Sequence, residues 1–290
     1  MGILFICILC NVLLAVIFKY FALYKVDNIN AIIINYIVCV LFSSIILGEL
    51  SVPMDILDRP WLPFSIVLGC LFMFGFNIMA LSFQKSGVAL TAIIQKMSLI
   101  VPSAIAIAIY DEPLGIFKAS GIILALTAIV LVNVPSKNNP DKINLFHPLI
   151  VYPLLTFLLS GIIEVILFYV EVEGLVVNDG MQFTATSFAI AASIGLVYSI
   201  YRSVTKKIYV GRKEILGGIA LGLPNYLTIY LLVYLLSKGW QGSVLFPSNS
   251  IGILVLTALV GFIFYKEHAD KMKLIGIGLG VLAILLLSAA

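Results

Sequence analysis

Two charged side chains stand where charge is expensive. Lys96 falls about eight residues into an apolar run at 88–110, which is ~12 Å deep at 1.5 Å per helical residue. Glu164 falls about six residues before the end of a run at 146–169, ~8 Å from the opposite face on the same rise. A charge near a bilayer centre costs at least ~2.5–3.5 kcal/mol, so such a residue marks a function or a buried partner. A lysine at that depth can attract a carboxylate or phosphate. A glutamate can pair with that lysine, bind an ammonium or carry a coupling proton. The bland accounts are a snorkelling Lys96 and a structural Glu164, and the sequence leaves both open. Lys19, nearer the end of its own run, fits snorkelling.

Polar residues gather around these charges. Thr91, Gln95, Ser98 and Pro102 follow at i, i+4, i+7 and i+11, which draws one polar stripe along one helix face. Pro247-Ser248-Asn249-Ser250 lies within a run at 242–265 and offers amide, hydroxyl and freed carbonyl groups in mid-membrane. Pro224-Asn225-Tyr226 sits near the middle of 213–236, and Asn77 lies within 61–83. The candidate substrate-binding residues are therefore Lys96, Gln95, Glu164, Asn77, Asn225, Tyr226, Asn249 and Ser250. For the asparagines, interhelical hydrogen bonds of roughly 0.6–2 kcal/mol are the competing account. Pro102, Pro224 and Pro247 more often kink a helix than hinge it.

The elements that must position these groups follow from composition. Of 290 residues, 62% are apolar and 11% charged, against about 25% charged in an ordinary soluble domain. Lipid must be the main solvent. A bilayer crossing takes roughly 20 apolar residues. Runs at 3–24, 29–48, 61–83, 88–110, 115–134, 146–169, 181–201, 213–236, 242–265 and 272–289 supply ten such segments with short polar connectors. The runs are continuous and do not alternate in ten-residue strands, so helices are expected and a barrel is not. The fold class is thus all-α integral membrane, with no length left for a soluble domain. The first run lacks a basic segment before it and reads as a retained helix.

Several function classes fall away. A net charge of +3 gives no reason to expect nucleic acid. Cys7, Cys10, Cys39 and Cys70 all lie in apolar runs, so the Cys7-x-x-Cys10 spacing reads as helix packing and not as a redox or metal pair. An intramembrane lipid-modifying enzyme would cluster His, Asp or Glu near an interface. Only His147 and His268 exist, far apart, and no HExxH, GxSxG or paired-aspartate motif appears. No phosphate-binding glycine loop is present either. No enzyme activity, cofactor or metal is expected. A structural membrane protein, the other alternative, would need no mid-membrane charge.

An internal repeat gives the runs an order. Tyr110-Asp111-Glu112 with Gly121 matches Tyr265-Lys266-Glu267 with Gly276 at an offset of 155 residues. On the same offset Ala125 matches Gly280 and Gly87 matches Gly242. The chain then divides into halves of five helices each, 1–136 and 137–290. An odd helix count inserts the second half with opposite orientation. Such an inverted-topology repeat lets one site alternate between two membrane faces, which points to transport of a small-molecule substrate. Gly218-x-x-x-Gly222 and Gly276-x-Gly278-x-Gly280 permit close helix packing without requiring a dimer, so a monomer or weak dimer is expected. Loop Lys and Arg number 3 on the side of the termini against 12 on the other. Taken alone, that places the termini outside the cytoplasm.

With these residues in hand, the chain resembles the EamA-type branch of the drug/metabolite transporter superfamily. The likeness rests on Tyr110-Asp-Glu112-Pro113-Leu114 with Gly121, Phe264-Tyr265-Lys-Glu267 with Gly276, and Lys19 near the end of the first helix. It covers essentially the whole chain, and its motifs are loose. The resemblance implies a multi-pass carrier of the inner or plasma membrane with a central cavity between its halves. It implies export of amino acids, metabolites or drugs, or exchange of phosphorylated or nucleotide-linked sugars. It also implies cytoplasmic termini and a basic loop between helices two and three. Here that loop, Glu49–Arg59, holds three acids and one base, so charge and resemblance point to opposite orientations.

Overall fold

A computed structural model describes residues 1–86, 88–133, 150–265 and 271–289. The described residues form helices, with no strand among them. In order these are α1 (Gly2–Tyr24), α2 (Asn28–Leu47), α3 (Leu62–Ser86), α4 (Val88–Lys96), α5 (Ile100–Ala108), α6 (Ile116–Asn133), α7 (Val151–Val172), α8 (Gly180–Lys206), α9 (Arg212–Ser237), α10 (Gly242–Tyr265) and α11 (Lys271–Ser288). Nine segments among them are long and apolar enough to cross a membrane, and Ile116–Val132 is a shorter apolar helix. The protein is a multi-pass membrane protein. Helix is the local answer because hydrocarbon offers backbone N–H and C=O groups no outside partner.

The helices stop where the sequence supplies a cap. Lys25 (φ 52°) closes α1, Gly48 (φ 72°) closes α2 and Lys207 (φ 53°) closes α8, all left-handed. Asp27 opens α2 by accepting the Asn30 N–H at 2.9 Å.

The expected helix at 88–110 is broken. It forms α4 and α5 joined by a 3-10 turn at Met97–Leu99. Pro102 explains the break: it lacks an N–H, and its ring crowds the carbonyl four residues back, at Ser98. The Ser103 hydroxyl donates to the Leu99 carbonyl at 2.7 Å, just after the break. By contrast α9 and α10 continue through Pro224 and Pro247.

The chain packs as two compact units, residues 1–76 with 169–237 and residues 77–168 with 238–290. Each draws on both sequence halves, because packing partners need not be neighbours in sequence. In the first unit α2 and α9 approach closely. A methyl on Gly218 would lie 2.6 Å from the Ala31 carbonyl, and one on Gly222 would lie 2.2 Å from Val38. Phe188, Tyr36 and Tyr226 fill the core beside them. Charged groups pin both ends of α8. At its start Asp179 accepts from Arg59 Nη1 at 2.8 Å and Trp61 Nε1 at 3.0 Å. Near its end Arg202 donates to both Asp27 oxygens at 2.9 and 2.7 Å. Roughly 33 Å of helix axis, at 1.5 Å per residue, separates Gly180 from Arg202, matching a hydrocarbon layer of ~30 Å.

In the second unit α11 lies along α6, with Gly121 against Leu287 and Gly276 against Val132. Gly280 admits Val255 and Ile251 of α10. Glu112 caps α10 from a distant loop: it accepts the Gly242 N–H at 2.7 Å, the Ser243 N–H at 3.0 Å and the Ser243 hydroxyl. The buried Lys118 ammonium lies 3.8 Å from the same carboxylate and donates to Gln241 at 2.5 Å. This is a structural role at a helix end. Its repeat counterpart Glu267, like Gly87, His147 and His268, lies outside the described residues.

Candidate functional site

In the second unit, polar groups gather at the broken span. The break after α4 leaves Gln95 and Lys96 on the last helical turn before the 3-10 segment. Gln95 Nε2 donates to Ser160 Oγ of α7 at 3.4 Å and to Met79 Sδ of α3 at 3.3 Å. Lys96 and Glu164 interact electrostatically, yet neither belongs to an ion pair among the described residues. Ser160 and Glu164 are one turn apart on α7, so they share a face. A turn of α7 thus meets the end of α4 with a hydroxyl and a carboxylate.

Close packing makes the encounter possible. Gly161 faces α5, where an added methyl would meet Val101 at 3.0 Å. With no side chain there, α7 can lie near the broken span. One Glu164 oxygen, Oε2, is buried without a hydrogen bond. A buried carboxylate oxygen without a donor is costly. It retains the capacity to accept a hydrogen bond or a proton.

The remaining candidates lie in different places. Thr91 is buried and shares a 2.8 Å hydrogen bond with Ser82 of α3, so the polar stripe serves two neighbours. Asn77 belongs to the same unit, in the second half of α3. Asn249 and Ser250 are buried on α10, beside Ser248 and Ser243. Asn225 and Tyr226 belong to the first unit. There Tyr226 is fully buried, its ring stacked 5.8 Å from Tyr230 and its hydroxyl donating to the Met181 carbonyl at 3.4 Å. The Asn225 carbonyl accepts the Thr228 hydroxyl at 2.7 Å.

Sequence reasoning missed Ser160 and the Gln182–Thr186 pair of α8. Gln182 Oε1 and Thr186 Oγ1 are buried in the first unit without hydrogen bonds, one helical turn apart. The signal was present: a polar residue four positions from Glu164 shares its face, and Gln182-x-x-x-Thr186 has the same spacing. Neither Ser160 nor Thr186 carries charge, so depth alone did not single them out.

No family model matches the chain. A protein of Haemophilus influenzae (strain ATCC 51907 / DSM 11121 / KW20 / Rd), described as uncharacterized, is 26% identical over 282 residues, 93% of this chain and 91% of that one. A solved crystal structure shares the fold with a TM-score of 0.75 at 13% identity, covering 98% of this chain and 94% of that one.

Proposed function

We propose that the protein is a secondary transporter of the EamA type, moving a small polar metabolite such as an amino acid across the cell membrane by alternating access. In this reading the ten apolar runs are ten transmembrane helices, arranged as two inverted five-helix repeats. The observation that carries the proposal is the helix break beside Lys96, facing a Glu164 oxygen that lacks a partner. Broken spans with polar ends near the midplane are how carriers hold polar solutes in lipid.

Lys96 attracts the anionic part of the solute. Glu164 accepts its donor groups, or takes the coupling proton when the solute leaves. Gln95, held by Ser160, orients an amide toward the same space. Asn77, Asn249 and Ser250 add further polar contacts, and Asn225 and Tyr226 belong to the same set of candidates. Alternating access then opens the site to one face of the membrane and afterwards to the other.

The test is a metabolite screen. Vesicles with and without the reconstituted protein are loaded with a defined mixture of amino acids, organic acids and amines, and their contents are followed by mass spectrometry. Protein-dependent loss or gain of one solute class is expected. Identical contents in both preparations would contradict the proposal.

A further inference from the structure

We infer that the cleft between the last turns of α1 and the first turns of α9 binds an anionic phospholipid, one acyl chain in the cleft and the phosphate among the lysines at its mouth. The cleft measures about 370 Å³. Gly217 forms its floor, where an added methyl would meet the Phe21 ring at 2.7 Å. Ile17, Leu216 and Ala220 make apolar walls. Tyr20 and Tyr24 are exposed along it, their rings stacked 6.2 Å apart. Tyrosines with an apolar body and a polar tip suit headgroup depth. From Lys213 to Ala220 the cleft runs ~10 Å along α9, at 1.5 Å per residue. That is the reach of a glycerol backbone and the first acyl methylenes.

Charge selects the headgroup. Lys213 stands at the mouth and donates to the Tyr24 carbonyl at 3.3 Å. Lys25, Lys206, Lys207 and Arg212 are exposed at the same end of these helices. Of the two described carboxylates nearby, only Asp27 pairs with a cation. Asp27 holds Arg202 through both oxygens. Glu214 accepts the Asp27 and Gly211 N–H groups, each at 3.0 Å. Among the described residues, five exposed cations at this end of the molecule therefore stand against the single unpaired carboxylate charge of Glu214, which leaves the mouth of the apolar cleft net positive. A neutral lipid fills the cleft equally well but leaves the cations unmatched.

The experiment uses the full chain in detergent, native mass spectrometry, and equimolar phosphatidylglycerol and phosphatidylcholine. Wild type is expected to retain phosphatidylglycerol about tenfold better, the effect of one or two lysines near a phosphate. Lys25→Asn with Lys213→Gln should bring the ratio near one; asparagine is chosen at 25 because it tolerates the φ of 52° there. Ala220→Trp should lower retention of both lipids by filling the cleft. Should the double variant fold poorly, raised salt on wild type serves instead, and it should weaken the preference by screening. Equal retention of the two lipids by wild type overturns the inference, as does a preference that survives the double substitution or high salt. Displacement of the lipid by inorganic phosphate alone overturns the acyl-chain assignment.

Discussion

Charge is handled differently at the ends of α8 and in the middle of the α4–α7 contact. At the helix ends each ionic group closes on another. Arg202 and Asp27 form two parallel bonds, and Asp179 serves Arg59 and Trp61 together. Arg59 Nε is buried there without a partner, but both carboxylates at these ends are engaged by cations, and these groups hold helices in place. In mid-span the opposite holds: Lys96 and Glu164 interact at a distance, and a carboxylate oxygen goes unbonded where it costs most. Groups that close on each other belong to stability. Groups left without a full complement of partners are, in the proposed function, the ones that serve a ligand or a proton.

Substitutions can separate the two regions. Among substitutions of the carboxylates, the largest effect is expected for Glu164→Gln. It removes a charge-assisted contact worth about 1.5–3 kcal/mol, so solute flux should fall ~10–150-fold. Thermal unfolding in detergent should shift little, because the substitution also removes a buried charge. Arg202→Met should do the reverse, lowering stability by about 2–4 kcal/mol, since it strands the Asp27 carboxylate. Flux per folded molecule should stay near wild type. A flux loss at Arg202 with unchanged unfolding would erase the distinction.

Asp27 gives a pH signature outside the spans. Burial opposes its ionisation, but the Arg202 hydrogen bonds, the Asn30 N–H and the guanidinium charge outweigh that and hold its carboxyl below the usual range. Because the folded group is the stronger acid, its stabilisation is complete above the unfolded value near ~3.9 and fades as pH falls through the lower folded value. Unfolding midpoints followed below pH 5 should drop less in Asp27→Asn than in wild type.

Glu112→Ala should lower stability by about 1–2 kcal/mol by uncapping α10, seen in the same unfolding assay. Gly161→Ala is the smallest change expected, within about 1 kcal/mol, as Val101 must yield only a few tenths of an ångström.

The sequence made the elements legible because a lipid solvent leaves long apolar runs little choice but helix. Each run overlaps a described helix, although 88–110 is split in two and 146–149 lie outside the described residues. The 3-10 break did not show in the pattern, since Pro102 has the same type as Pro224 and Pro247, which their helices absorb. Lys96 and Glu164 stood out by depth, and the structure brings them into electrostatic reach within one unit. Ser160 was hidden because serine is ordinary in a span until its partner is known. The Glu112 cap was unreadable for a related reason: its partners lie 130 residues away. The compact units crossed the sequence halves because a repeat records chain order, whereas packing records which faces meet.

The central claim is that the mid-span group handles solute. The most direct measurement is flux through vesicles holding equal amounts of inserted wild type and Lys96→Ala, using the solute that the metabolite screen identifies. The account predicts protein-dependent flux for wild type and none for the variant, with insertion and unfolding temperature alike. Full flux through Lys96→Ala would contradict it.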